Sequence, residues 1–144
     1  MKIFITVIVL TAAGVVFLIW SMALFLLSFT GGWRRLARTF STDKSPEGDS
    51  FGAASGRMRI VNYSFILNVT VSREGIFMSV MKLFRPFHSP LFIPWDSIIS
   101  TENKSLLLNR HIEIGIKDRK GHIFFTLSDK VLSSQFWRLK PHRN

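Results

Sequence analysis

Hydrophobic residues fill the first part of the chain almost without interruption and then recur at two different spacings. Residues 3–29 contain no charged side chain, no proline and no amide side chain. A helix of about 27 residues is about 40 Å long, which exceeds the roughly 30 Å hydrocarbon core of a bilayer. The pattern therefore predicts one N-terminal transmembrane α-helix that occupies residues 1–30 and anchors the rest of the chain.

The spacing changes after a Gly-Gly pair at positions 31 and 32. Trp33, Leu36, Ala37 and Phe40 follow the i, i+3, i+4 and i+7 spacing of an amphipathic helix. Residues 41–56 are rich in serine, glycine and acidic residues and show no periodicity, which is typical of a linker. Residues 31–56 are therefore interpreted as a juxtamembrane amphipathic helix followed by a linker.

Apolar residues alternate with polar ones through most of residues 57–127, which predicts antiparallel strands. The chain is expected to enter its first strand at Arg57 and to turn at residues 62–64, a turn without a basic residue. One long strand is expected over residues 105–117.

Two hairpin registers follow from matching apolar faces across the turns at residues 72–75 and 118–121. The first register pairs Val71 with Ile76, Val69 with Met78 and Leu67 with Val80. The second pairs Lys117 with His122 and continues through the apolar pairs Ile116–Ile123, Ile114–Phe125 and Ile112–Leu127.

The end of the chain returns to helical spacing. Ser128 or Asp129 is expected to cap a last helix. Its inner face would carry the residues Val131, Leu132, Gln135, Phe136 and Leu139. Residues 57–144 are therefore predicted to form a mainly-β domain, an antiparallel curved sheet or small barrel with a C-terminal amphipathic helix.

This order of elements resembles the pleckstrin-homology or GRAM-like domains of small bacterial single-pass membrane proteins. The resemblance covers most of the chain and is carried by the motifs Gly75-Ile76-Phe77-Met78-Ser79, Ile93-Pro94-Trp95-Asp96-Ser97-Ile98, Gly32-Trp33, Leu36-Ala37, Phe40, Phe84-Arg85-Pro86 and His88. It implies a PH-like β domain that acts in binding or scaffolding, because this fold serves lipid, peptide and scaffold roles alike. Many lipid-binding members carry lysines and arginines around the first hairpin turn.

The charge distribution predicts how the helix is oriented. Lys2 and the amino terminus are the only positive groups before the apolar stretch, whereas Arg34, Arg35, Arg38 and Lys44 follow it. Because positive residues favour the cytoplasmic side, the N-terminus is expected outside and the C-terminal domain in the cytoplasm. The alternative is a cleaved signal peptide, whose apolar region is shorter and ends at a small-residue cleavage site.

The formal net charge of +10 narrows the choice of partners. A basic domain tethered to a membrane is attracted first to the anionic leaflet, so no nucleic acid is expected as a partner. Trp33, Arg34, Arg35 and Arg38 are the candidate membrane-surface contacts, because aromatic and basic residues suit the headgroup layer. The alternative for Trp33 is a helix packed on the domain core.

Residues 85–90 form the candidate recognition loop, called here the proline loop. Arg85, Phe87 and His88 supply a cation, an aromatic ring and an imidazole between two prolines. The alternative interpretation is structural, with Pro86 and Pro90 shaping a long connection and the aromatic residues packing on the core.

The sequence contains none of the catalytic or cofactor-binding motifs considered below. His111 shares a strand face with Glu113, but the expected register places Ser128 and Thr126 opposite them, so no metal site is expected. There is no G-x-S-x-G, P-loop or dinucleotide motif, so neither an enzyme nor a cofactor is expected. The preferred function is a membrane-anchored binding or assembly module that contacts a protein or the anionic leaflet. The alternative is a membrane-tethered enzyme or small-ligand protein with its site in the mouth of the sheet.

Overall fold

The computed structural model describes residues 1–106 and 109–138 of the chain. Helix α1, Lys2–Thr30, is long and apolar enough to cross a membrane, as an anchor or as a signal sequence. Helix α2, Trp33–Phe40, follows after two residues and confirms the predicted amphipathic helix. A seven-stranded antiparallel sheet makes up most of the remaining described chain.

The strands are β1 (Asp49–Met58), β2 (Val61–Val71), β3 (Gly75–Val80), β4 (Leu91–Pro94), β5 (Ile98–Leu106), β6 (Asn109–Asp118) and β7 (Gly121–Ser128). They lie in the order β4-β3-β2-β1-β7-β6-β5, so the sheet is open and β4 and β5 form its two edges. β1 pairs with both β2 and β7, and it thereby joins a four-strand meander to a three-strand one.

Both predicted hairpin registers are confirmed. Val71 pairs with Ile76 and Leu67 with Val80 in β2–β3, and Lys117 pairs with His122 in β6–β7. In each hairpin the apolar partners face the same side, so a slip of one residue would turn the whole apolar set toward solvent.

The predicted start of the β domain is wrong. Residues 49–58 form β1, so the linker ends before Asp49 and the chain turns at Arg59 and Ile60 rather than at residues 62–64. β1 is interrupted by irregular pairing on both sides of Ala54. It is also tightly enclosed, because a Cβ on Gly56 would lie 2.8 Å from the carbonyl oxygen of Thr126. These constraints require small residues, which remove the alternation that identifies a strand.

The single long strand expected over residues 105–117 is also wrong. β5 and β6 are separate antiparallel strands that pair from Ile98–Ile116 to Leu106–Asn109. The predicted face contained Leu108, which lies outside the described residues. Apolar periodicity gave no sign of the reversal, because the residues on both sides of it are compatible with a strand.

The C-terminal segment is broken rather than continuous within the described residues. A 3₁₀ turn over Asp129–Ser133 precedes the short helix α3, Gln135–Arg138, and Ser128 makes no capping hydrogen bond through its side chain. Asp49 of β1 accepts hydrogen bonds from the Ser134 hydroxyl and the Gln135 N–H. Val131 and Trp137 are buried, whereas the predicted inner residue Gln135 is exposed; Leu139 lies outside the described residues.

The core lies between the inner face of the sheet, helix α2 and the C-terminal segment. Trp33 and Leu36 of α2 are almost completely buried among the sheet residues Met58, Tyr63, Leu67, Val69, Met78, Ile112, Ile114, Phe125 and Leu127. Arg35 of α2 adds an ion pair with Asp118, at 2.8 Å, next to the β6–β7 turn. Helix α2 is therefore part of the domain, although it begins only two residues after α1 ends.

Two glycines join α1 to α2 in different ways. Gly31 is crowded, because a Cβ there would lie 3.0 Å from Val61 Cγ2 and 3.1 Å from the Tyr63 hydroxyl. Gly32 has φ +82°, a left-handed conformation that side-chain-bearing residues avoid. The joint therefore combines a close backbone approach with a left-handed turn.

We expect Gly32→Ala to reduce the free energy of unfolding by about 1–2 kcal/mol, because alanine is strained at this φ. Thermal unfolding of the full-length protein in detergent, followed by near-ultraviolet circular dichroism, measures the change. Gly14→Ala is the matched control, since a Cβ on Gly14 of α1 would have no neighbouring atom within 4 Å. Equal stability of the two variants would contradict this account of the joint.

Candidate membrane-interface site

The proline loop is fastened to the end of α1. The Ser28 hydroxyl donates a hydrogen bond to the carbonyl oxygen of Phe87, and Trp33 Nε1 donates to that of Ser89 at 2.9 Å. The rings of Phe25 and Phe87 pack edge to face at 5.4 Å. The loop therefore connects the last turns of the apolar helix to the domain.

The 3₁₀ turn Lys82–Phe84, which precedes the proline loop, extends this contact along the helix. The ring centres of Phe84 and Trp20 are 5.3 Å apart. Trp20 lies ten residues before the end of α1, a distance of about 15 Å along the helix axis. The domain therefore lies alongside roughly the last third of α1.

Three rings form a buried cluster at the base of this contact. Trp33, Tyr63 and His88 lie with ring centres 5.5–5.8 Å apart. The Tyr63 hydroxyl is 3.3 Å from His88 Nε2, and His88 Nδ1 is 3.2 Å from the carbonyl oxygen of Pro86. With the proton on Nδ1, the imidazole donates to Pro86 and accepts from Tyr63, so all of its hydrogen-bonding atoms are satisfied.

Burial controls the ionisation of this cluster. Burial lowers the pKa of His88, against a smaller opposing effect of the hydrogen bond to Pro86. Burial also raises the pKa of Tyr63. Both groups are therefore neutral near pH 7.

Two residues that were predicted to make surface contacts, Trp33 and His88, are buried instead. Trp33 is 1% exposed and His88 2% exposed, so neither ring reaches lipid headgroups or an external partner. Arg85 and Phe87, the other proposed recognition residues, are exposed on the outer side of the same loop, although the Phe87 ring also contacts Phe25 of α1. The proline loop thus has a structural inner side and an open outer side.

The three arginines of α2 have different surroundings. Arg34 is exposed, and its guanidinium lies 5.5 Å from the ring centre of Phe25. Arg35 is directed to Asp118, whose carboxylate also accepts a hydrogen bond from Thr39. Arg38 is exposed. Arg34 and Arg38 are therefore exposed, whereas Arg35 has a structural partner in Asp118.

The carboxyl of Asp118 is held in its charged form. Burial would by itself raise the pKa of Asp118, but hydrogen bonds from Arg35, the Arg119 backbone and Thr39, with the positive charge of Arg35, lower the pKa overall. The ion pair is therefore maintained near pH 7 and attaches α2 to the β6–β7 hairpin.

Sequence reasoning missed three exposed residues near the end of α1. Leu83, on the turn before the proline loop, is 68% exposed, and Ile60, in the β1–β2 turn, is 74% exposed. Arg59 precedes Ile60 and is also exposed, and its Cδ would lie 3.2 Å from a Cβ on Gly32. The misplaced first turn hid this pair, because alternation assigns Arg59 and Ile60 to a strand.

An apolar crevice of about 140 Å³ separates α1 from the domain. Trp20, Ala23 and Leu27 contribute its helix side. The domain side consists mainly of Ile66, Val80 and Phe84, with Tyr63 and His88 also in its wall. The crevice lies beside the stretch of α1 that the domain contacts.

The inner face of the sheet is closely packed beneath Trp33, where the space to the β1, β2, β3 and β7 residues is about 10 Å³. A larger cavity of about 270 Å³ lies beside β5, β6 and the Asp129–Ser133 turn, with Lys104, Arg110, His111 and Asp129 in its wall. In the described ranges, no three His, Asp or Glu side chains come together as metal ligands would. Elsewhere on the sheet, Lys104 and Glu113 form an exposed ion pair at 2.7 Å.

No protein-family model, curated protein or solved structure matches this chain. The described residues form a long apolar N-terminal helix followed by an open antiparallel β domain. The distinctive site in this architecture is the contact between the two.

We expect the stability of the protein to fall when the pH is lowered from about 7.5 to about 5.5. An unfolded histidine has a pKa of about 6.5 and binds a proton over this range, whereas folded His88, with its lowered pKa, resists protonation. The stabilising contribution of Asp118 is lost only below about pH 4, which separates the two effects.

Thermal unfolding of the full-length protein in detergent at the two pH values tests this expectation. His88→Asn should lower stability at both values and reduce the difference between them. His122→Asn, at an exposed histidine, is the matched control and should retain the wild-type difference. The same pH difference in His88→Asn and wild type would contradict the assignment.

Proposed function

We propose that this chain is a single-pass bacterial inner-membrane protein whose PH-like domain binds the anionic cytoplasmic leaflet as a recognition or assembly module. The N-terminus would lie outside and the domain in the cytoplasm. The main supporting observation is the contact between the last third of α1 and a loop whose outer side carries both apolar and basic residues.

The dimensions of α1 support this arrangement. A 29-residue helix is about 43 Å long, about 13 Å more than the hydrocarbon core requires. If the first two thirds of α1 span the core, the last third lies at the interface, where Trp20 suits the boundary. The domain that packs there would lie on the bilayer surface without bending the helix.

The residues directed outward at this level suit a headgroup layer. Leu83 and Phe87 are exposed apolar side chains, and Lys82 and Arg85 are exposed cations on the same segment. Apolar residues that enter the interface, combined with cations that meet anionic lipid, are the usual elements of interfacial binding. Near the other side of the joint, Arg59 and Ile60 repeat this combination.

The strand order supports the PH-like part of the proposal. Seven antiparallel strands run as meanders of four and three, and within the described residues a 3₁₀ turn and a short helix follow them. The β1–β2 turn also carries Arg59, so the first turn has a basic residue that the turn expected at residues 62–64 lacks. A protein partner on the outer side of the proline loop is the alternative binding mode.

Cysteine accessibility tests the orientation, because the chain contains no cysteine of its own. In intact spheroplasts, a membrane-impermeant maleimide should label a cysteine inserted between Met1 and Lys2, before the apolar stretch, but not Lys120→Cys, which should react only after lysis. Both changes leave the charges immediately after α1 unchanged, and the intact mass should include the first segment. Labelling of Lys120→Cys before lysis, or loss of the first segment, would contradict the proposed orientation.

An environment-sensitive fluorophore tests contact with the leaflet. The fluorophore is attached to Phe87→Cys of the full-length protein in vesicles that contain phosphatidylglycerol. We expect its emission to shift to shorter wavelength and to be quenched by brominated lipid, because residue 87 enters the interface. Phe124→Cys is the matched control, since the two phenylalanines are 52% and 48% exposed. Equal quenching at both sites would rule out specific contact by the proline loop. If the fluorophore at residue 87 emits at shorter wavelength in isolated cell membranes but is not quenched by added brominated lipid, the result would favour a protein partner.

A further inference from the structure

The crevice between α1 and the domain has the apolar helix as one wall and the folded domain as the other. Ala23 and Leu27 on one side belong to the helix whose remaining surface is exposed and apolar. Ile66 and Phe84 on the other side belong to the folded domain. If α1 spans a bilayer, the crevice is continuous with the lipid-facing surface of the helix.

The crevice lies along the stretch of α1 where we expect the boundary of the hydrocarbon core. The lining runs from Trp20 to Leu27, a length of about 10 Å along the axis. This stretch begins where the surplus length of α1 leaves the hydrocarbon core, so one end of the crevice faces acyl chains and the other faces headgroups.

The walls favour a hydrocarbon occupant over water. They are predominantly apolar; the Tyr63 hydroxyl and the His88 imidazole are hydrogen-bonded to each other, and Asn62 contributes the one amide side chain of the lining. A water molecule needs two to four polar partners, whereas a dry apolar cavity of about 150 Å³ accepts a molecule of the size of benzene. A volume of about 140 Å³ therefore suits a short segment of a hydrocarbon chain.

We propose that this crevice binds one acyl chain of a membrane phospholipid and that the lipid thereby forms part of the contact between α1 and the domain. The inference rests on the proposed membrane-spanning role of α1. It goes beyond surface contact with the leaflet, because the bound chain lies between two parts of the same protein.

The Ala23 side chain offers a means to fill the space. Ala23→Phe places a ring inside the crevice, where it displaces an acyl chain. Ala13→Phe is the matched control, because Ala13 is exposed on the same helix ten residues earlier and is not part of the crevice lining. Both variants add the same apolar group to α1, so they differ only in position.

The experiment uses full-length protein in vesicles of phosphatidylethanolamine and phosphatidylglycerol that contain a trace of phosphatidylglycerol with a diazirine on one acyl chain. After photolysis, mass spectrometry maps the label. Wild type and Ala13→Phe should carry label on the domain residues Ile66, Val80 or Phe84 as well as on α1. Ala23→Phe should lose domain label about tenfold, as expected when roughly 60 Å² of apolar contact is removed.

Other results would overturn the inference. Label confined to α1 in wild type would mean that lipid only surrounds the helix, and the membrane-spanning proposal would stand. Equal domain label in both variants would place the lipid outside the crevice. Protein released from the vesicles without label would instead contradict the proposed function itself.

Discussion

The contact between a helix that suits lipid and a domain that suits water is the constraint on which the rest of the structure depends. The chain must leave α1 and enter the core within two residues, since Trp33 is already buried. Glycine at position 31 permits the close approach of Val61 and Tyr63, and glycine at position 32 permits the left-handed turn. A bulkier joint would push the sheet away from the helix and open the contacts beyond it.

The proline loop shows how one segment combines structural and surface roles. Its backbone accepts hydrogen bonds from Ser28 and Trp33, and its imidazole completes the buried ring cluster. These interactions hold the segment rigid and leave Arg85 and Phe87 exposed. Rigid presentation lowers the entropic cost of binding, because fewer conformations are lost when a contact forms.

Polar groups inside this contact are paired in two different ways. Tyr63 and His88 are neutral and form a hydrogen bond with each other, whereas Arg35, which is partly exposed, and Asp118, which is buried, remain charged. The neutral pair suits the apolar surroundings, where an isolated charge would be expensive. The ion pair attaches α2 to β6–β7, so the helix is held by the part of the sheet remote from the proline loop.

Periodicity was sufficient to predict α1, α2 and both hairpin registers, because these features depend on local spacing and on matching apolar faces across short turns. Periodicity failed for β1, where the close approach of the strands on either side requires small residues, and it failed for the separation of β5 from β6. The candidate site divides in the same way. Composition pointed to the proline loop and the arginines, but only tertiary packing could bury Trp33 and His88 while leaving Phe87 exposed, because burial depends on contacts between residues distant in the chain.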